Sequence, residues 1–212
     1  MGAGVGRIIQ TDACVAEGAA WLAARDSRIA QALDQVGTLP LRRKPDGFDQ
    51  LLNAIVSQQV SVASANAIWG RLVEADMTDP ARIAATTPDD LRALGLSQQK
   101  ARYAKALAEA RIDYVALRDT PTPAVIKTLT AVTGIGTWTA EVYAMFSLGR
   151  ADVFAPGDLA LQEGARMLYD LPDRPTDKAL RAISEDWSPW RSVAARLLWA
   201  YYADQKKREG IR

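Results

Sequence analysis

The chain has no histidine and a single cysteine, Cys14, among its 212 residues. Without histidine there is no Ser/His/Asp triad and no Cys/His dyad. One cysteine cannot form an intramolecular disulfide, a usual zinc site or a four-cysteine iron–sulfur cluster. Proton transfer and charge stabilisation therefore fall to Asp, Glu, Lys or Tyr. Cys14 sits among small residues and reads as a buried structural thiol. No apolar run is long enough to span a membrane. Met1 to Gln10 lacks the sustained apolar stretch of a signal peptide, so a cytoplasmic protein is expected. A strong charge of either sign is missing too: 26 Lys and Arg face 25 Asp and Glu, a net charge of +1. That balance weighs mildly against a polyanion binder that works by bulk charge. Arg42-Arg43-Lys44 and Lys206-Lys207-Arg208 are local basic clusters, and the second reads as a solvated, frayed terminus.

What is present is apolar content, 49% of residues, enough for a sizeable core in one compact unit or two small lobes. The apolar spacing is helical throughout, and no strand-like alternation is convincing. Glu17 to Val36 forms one helical segment, ended by Gly37 and Pro40. Phe48 to Val56 and Val60 to Val73 follow. Asp79-Pro80, Thr87-Pro88 and Thr122-Pro123 each pair a capping residue with a proline suited to the first helical turn. Ser97 starts a longer helix. Further helices are expected over Glu141 to Leu148, Leu159 to Tyr169, Asp177 to Ile183 and Ser192 to Tyr202. The fold class is all-α, roughly ten short helices joined by tight turns.

The most informative stretch runs from Leu129 to Asp158. Gly134 and Gly136, in Thr133-Gly134-Ile135-Gly136-Thr137, allow a tight turn between two helices. The amides ahead of the second helix have no intrahelical partner, so with the helix dipole they form a seat for an anion such as a phosphate. Such a seat needs no basic side chain. Carbonyls of the same turn offer a site for a monovalent cation. Trp138 follows at once, and Asp158 comes later in Phe154-Ala155-Pro156-Gly157-Asp158. A lone Gly-x-Gly is equally an ordinary turn, and Asp158 alone is equally a helix N-cap.

Four ordered segments resemble the helix–hairpin–helix DNA glycosylase superfamily, and within it the DNA-3-methyladenine glycosylase II branch of alkylation repair. They are Ala54-Ile55-Val56-Ser57-Gln58-Gln59-Val60-Ser61; the hairpin Thr133 to Ala140; the loop Asp152 to Asp158; and Pro189-Trp190-Arg191-Ser192 through Trp199. The resemblance spans Asp46 to Tyr202. It implies a two-lobed all-α fold with its active site in the interlobe cleft. One lobe would be residues 48–148, ending in the hairpin, and the other 1–47 with 149–212. Too few residues precede Phe48 for the extra N-terminal domain of some relatives, so a compact form is expected.

The resemblance also implies roles. Asp158 is the catalytic carboxylate, stabilising the cation-like sugar as an N-glycosidic bond breaks. An N-alkylated base already carries positive charge and leaves without a strong general acid, so the lack of histidine is compatible. Trp138 and Trp199 line the base pocket, where indole faces attract a cationic ring. Trp138 occupies the position of the Schiff-base Lys of bifunctional relatives, which implies a monofunctional enzyme without lyase chemistry. Gln59 fills the DNA gap left by the flipped nucleotide, with Gln58 beside it. Thr133, Gly134, Ile135, Gly136 and Thr137 hold the backbone. Val142 stands where some relatives place an aromatic pocket residue, which implies a more open pocket. The implied partner is damaged duplex DNA, bound by a monomer with no cofactor. The alternative is a non-catalytic DNA-structure binder that kept the hairpin. Trp21, Trp69, Trp187 and Trp190 are assigned to packing.

Overall fold

The computed structural model describes residues 4–208, and all structural statements concern these residues. They form α1 (Asp12–Ala23), α2 (Ser27–Val36), α3 (Phe48–Ser57), α4 (Val62–Glu74), α5 (Pro80–Ala85), α6 (Pro88–Ala93) and α7 (Gln98–Glu109). These are followed by α8 (Tyr114–Leu117), α9 (Thr122–Thr130), α10 (Thr137–Phe146), α11 (Leu159–Leu168), α12 (Asp177–Ile183), a 3-10 turn (Ser184–Trp187) and α13 (Arg191–Arg208). The fold is all-α. The one β feature is an isolated antiparallel bridge between Ile8 and Arg150.

The helices group into two compact units, one of Met1–Arg43 with Ala144–Arg212 and one of Lys44–Tyr143. The lobe boundaries read from the sequence, 48 and 148, lie a few residues later at each end. The second division falls inside α10 at Tyr143. That residue falls with Lys44–Tyr143, and its hydroxyl accepts a hydrogen bond from the Gly47 N–H at 2.9 Å.

In the 44–143 unit, α3 shows the rule that builds the rest. Phe48, Leu51, Leu52, Ile55 and Val56 recur at helical spacing and are all buried. Ile68 and Leu72 of α4, Ile83 of α5, Leu91 of α6 and Ala101, Ala104 and Leu107 of α7 complete the layer. Asp79 and Thr87 accept hydrogen bonds from Ala81 and Asp90 amides, and a proline stands in the first turn of each short helix that follows. The third cap–proline pair departs from this pattern: Thr122 is itself the first residue of α9, after Pro121.

In the other unit, the expected single segment from Glu17 to Val36 is two helices. The Asp26 carboxylate accepts from the Arg28 and Ile29 amides and starts α2 afresh. A side chain that competes for backbone donors outweighs the apolar periodicity here. α11 packs against α13. A Cβ at Gly164 would lie 2.8 Å from the Leu198 carbonyl oxygen, so glycine is what lets these two backbones approach. Leu161, Ala165, Val193, Leu197 and Leu198 are buried around them. Trp187 and Trp190 are buried as assigned, and Trp187 meets Phe154 edge-on at 5.2 Å.

Arg43, in the first basic cluster, donates to the Phe146 and Ser147 carbonyls at the end of α10. Two smaller expectations are corrected. α13 continues helical through Lys206 and Lys207 rather than fraying after Tyr202. Cys14 is half-buried beside Thr11, whose hydroxyl lies 3.4 Å from its sulfur. That hydrogen bond, with backbone bonds to Gln10 and Thr11, lowers the thiol pKa to about 7.

Candidate functional site

Asp158 ends a loop that is fixed along its length. At the start, Asp152 accepts from Arg191 Nε at 2.6 Å and Nη2 at 3.0 Å, and from Ser188 Oγ at 2.9 Å. The Ser192 amide donates to the Ala151 carbonyl at 2.9 Å. In the middle, Gln162 Nε2 donates to the Pro156 carbonyl at 2.8 Å. Asp158 itself caps α11, with Oδ1 accepting from the Ala160 and Leu161 amides at 2.9 and 3.1 Å. The same Oδ1 accepts from Trp199 Nε1 at 3.2 Å. Capping and site formation thus coincide in one residue. The two amides set the orientation of the carboxylate, and the close α11–α13 packing at Gly164 brings the indole of α13 to it.

Trp199 is half-buried and tilted at 32° against the ring of Phe146, with centroids 5.7 Å apart. Phe146 was not singled out from the sequence. It lies four residues, one helical turn, after Val142, so that spacing was the signal available. Arg196, fully buried, stands against Phe146, its guanidinium 4.8 Å from the ring centroid. Arg196 donates to the Leu41 carbonyl and to the carbonyl and hydroxyl of Ser192. Burial, and then the charges of Arg42 and Arg43, push its pKa down to about 10. Val142 is half-buried and adds no ring. Tyr143 is occupied with Gly47, and burial raises its pKa to about 12.

In the 44–143 unit the hairpin joins α9 to α10. Gly134 has φ +98°, and a Cβ there would fall 2.3 Å from the Tyr103 ring, so no other residue fits without displacing that ring. Ile135 is buried and anchors the turn, while Thr133, Gly136 and Thr137 are exposed. Trp138, in the first turn of α10, is 45% exposed, which is unusual for so large an apolar surface. Gln58 and Gln59 meet this hairpin. With Ser97, Lys100, Tyr103 and Gly134 they line a pocket of about 600 Å³. Gln59 is exposed, whereas Gln58 turns its amide to the Gly134 carbonyl at 3.0 Å instead of lying free beside Gln59. That bond takes up one lone pair of a hairpin carbonyl that the sequence offers as a cation seat. Among the described residues, no group of three or more Cys, Asp or Glu is arranged to hold a metal ion.

The structure therefore gathers Asp158 and Trp199 in one unit, and Gln58, Gln59, Gly134, Ile135 and Gly136 in the other. Sequence reasoning missed Phe146, Arg196 and the Asp152–Arg191 pair. No described helix is long and apolar enough to cross a membrane.

Comparison with known proteins gives consistent results. Residues 52–189 match the model of the HhH-GPD superfamily base excision DNA repair protein. DNA-3-methyladenine glycosylase 1 of Schizosaccharomyces pombe is 35% identical over 167 residues, which cover 74% of this chain and 72% of that protein. The crystal structure of a DNA-3-methyladenine glycosidase from Bacillus halodurans superposes with a TM-score of 0.81 at 35% identity, covering 96% of this chain and 94% of that one. A Schizosaccharomyces pombe 3-methyladenine DNA glycosylase, solved in complex with abasic DNA, gives 0.75 at 31% identity, over 86% of this chain and 95% of that one.

Proposed function

The chain belongs to the HhH-GPD superfamily of base excision DNA repair proteins, and from that membership we propose a monofunctional DNA glycosylase that releases N-alkylated bases such as 3-methyladenine from duplex DNA. The observation that carries this reading is the hydrogen bond from Trp199 Nε1 to Asp158 Oδ1. It puts an indole beside a carboxylate whose orientation is already fixed by two backbone amides.

The chemistry follows from that pair. As the N-glycosidic bond lengthens, positive charge develops on the sugar, and the Asp158 carboxylate stabilises it and orients the attacking water. The alkylated base is itself cationic, so its departure returns the ring electrons without protonation by an acid. Trp199, and Trp138 through its exposed indole, offer electron-rich faces to that cation. Trp138 has no amine, so no Schiff base forms at that position and the sugar–phosphate backbone is left uncut. The hairpin amides of Gly134, Gly136 and Thr137 take a phosphate, the Ile135 amide being bonded to the Val132 carbonyl at 3.1 Å, and Gln59 fills the space vacated by the flipped nucleotide. All of these parts reside on one chain, so a monomer suffices.

The test is release of 3-methyladenine from methylated duplex DNA by the wild type and by Asp158→Asn. The wild type is expected to release base. The Asn variant, which keeps the cap but lacks the charge, is expected to be slower by about 10² to 10³, the range for losing one transition-state stabilising group. Equal release by both proteins refutes the role of Asp158. Binding without release by the wild type would make the chain the non-catalytic DNA binder instead.

A further inference from the structure

Gln58 has no part in the chemistry above, yet its surroundings are specific. α3 ends at Ser57, and Gln58 leaves it in an extended conformation with φ −61° and ψ 129°. Gln59 then adopts φ +54°, the left-handed region that non-glycine residues occupy only under constraint. Two side-chain bonds supply that constraint. On one flank, buried Lys100 donates from Nζ to the Val56 carbonyl at 2.7 Å. On the other, Gln58 Nε2 donates to Gly134, 76 residues away in sequence. Gly134 cannot yield, because the Tyr103 ring lies against it. The turn is therefore tied to α7 and to the hairpin, and what projects from it is Gln59, followed by Val60 and Val62 at 39% and 77% exposure.

We propose that Gln58 is a positioning residue: by bonding the hairpin carbonyl of Gly134 it holds Gln59 outward in its left-handed conformation, so that the gap-filling turn and the phosphate-binding hairpin act as one preformed element. This rests on reading Gln59 as the gap-filling residue. A turn already held in its bound shape loses less conformational entropy on binding than one that must order itself. The benefit arises only where DNA presents a gap. Contacts to intact duplex, made through phosphates, do not use it.

The test compares affinity for two duplexes of one sequence, one carrying a single tetrahydrofuran abasic analogue and one unmodified. Wild type, Gln58→Ala, Gln59→Ala and the double variant are measured at one salt concentration. Gln59→Ala should lower the preference for the abasic duplex by about tenfold or more, the scale of one good contact. Gln58→Ala should lower it by about three- to tenfold, as expected for one lost hydrogen bond, with affinity for unmodified duplex unchanged within about twofold. The double variant should be no worse than Gln59→Ala, because Gln58 acts through Gln59. No loss of preference in Gln59→Ala overturns the gap-filling reading and the inference with it. A loss in Gln59→Ala with none in Gln58→Ala overturns the positioning role alone. So does an equal loss on both duplexes, or a double variant whose loss is the product of the two single losses.

Discussion

Replacing Trp199 by Phe removes the Nε1–H that Asp158 accepts and keeps an aromatic ring against Phe146. Hydrogen bonds to a charged group contribute about 1.5–3 kcal/mol. The Trp199–Asp158 bond, at 3.2 Å, is longer than the ~2.7–2.9 Å common for charge-assisted pairs, which places it at the low end. The Ala160 and Leu161 amides remain on Oδ1 and keep the carboxylate in place. A loss of about 1.4 kcal/mol in the excision step corresponds to a rate about tenfold slower. The assay is single-turnover release of 3-methyladenine from duplex DNA at saturating enzyme, so that weaker binding does not enter. Trp199→Phe should also have little further effect in an Asp158→Asn background, since the two residues act as one unit. A rate within about twofold of wild type, or losses that simply multiply in the double variant, would refute the coupling of Trp199 to the carboxylate.

The double role of Asp158 separates by substitution. Asp158→Asn keeps an N-cap acceptor and should leave the melting midpoint in denaturant nearly unchanged, whereas Asp158→Ala should cost about 1 kcal/mol of stability; equal stability of the two would mean that the cap bonds contribute nothing. Gly164→Ala pushes a methyl to 2.8 Å from the Leu198 carbonyl and should destabilise by about 1–2 kcal/mol in a thermal melt, overpacking outweighing the helix propensity gained, while slowing excision as α11 shifts from α13; a variant more stable than wild type contradicts this packing. Cys14, the only thiol in the chain, should react with iodoacetamide at a rate that rises with pH through a midpoint of about 7, because the thiolate is the nucleophile and forms above that pH. Thr11→Val removes the largest cause of the lowered pKa, so its midpoint should move up toward that of an ordinary thiol; an unmoved midpoint assigns the shift elsewhere.

The parts of the fold and candidate site that were legible are those whose cause is local. The hairpin shows because Gly134 must take a positive φ, and the start of α11 because Asp158 is a capping residue followed by an apolar helix. α3 shows because five apolar residues fall on one face. The break between α1 and α2 has a local cause as well, Asp26, whose capping side chain outweighs the apolar period around it. The family resemblance joined Asp158 to Trp199. What lets their helices approach in the structure is the glycine at 164, which reads in the sequence as nothing more than a weak point in a helix.

The unread parts depend on partners distant in the chain. Gln58 looks like its neighbour Gln59 in sequence, and only the Gly134 carbonyl distinguishes their roles. Arg196 would be placed on the surface by its charge, since arginine is rarely buried without a partner. It is buried because backbone carbonyls of Leu41 and Ser192 and the Ser192 hydroxyl satisfy its donors while Phe146 covers its face. Neutral acceptors compensate a buried cation less well than a carboxylate does, which is the sense of its lowered pKa. The position thus carries an electrostatic cost beside Phe146, whose ring meets Trp199. A methionine there would remove that cost and also the donors that tie Leu41 to α13, so the stability of Arg196→Met weighs charge burial directly against carbonyl tethering.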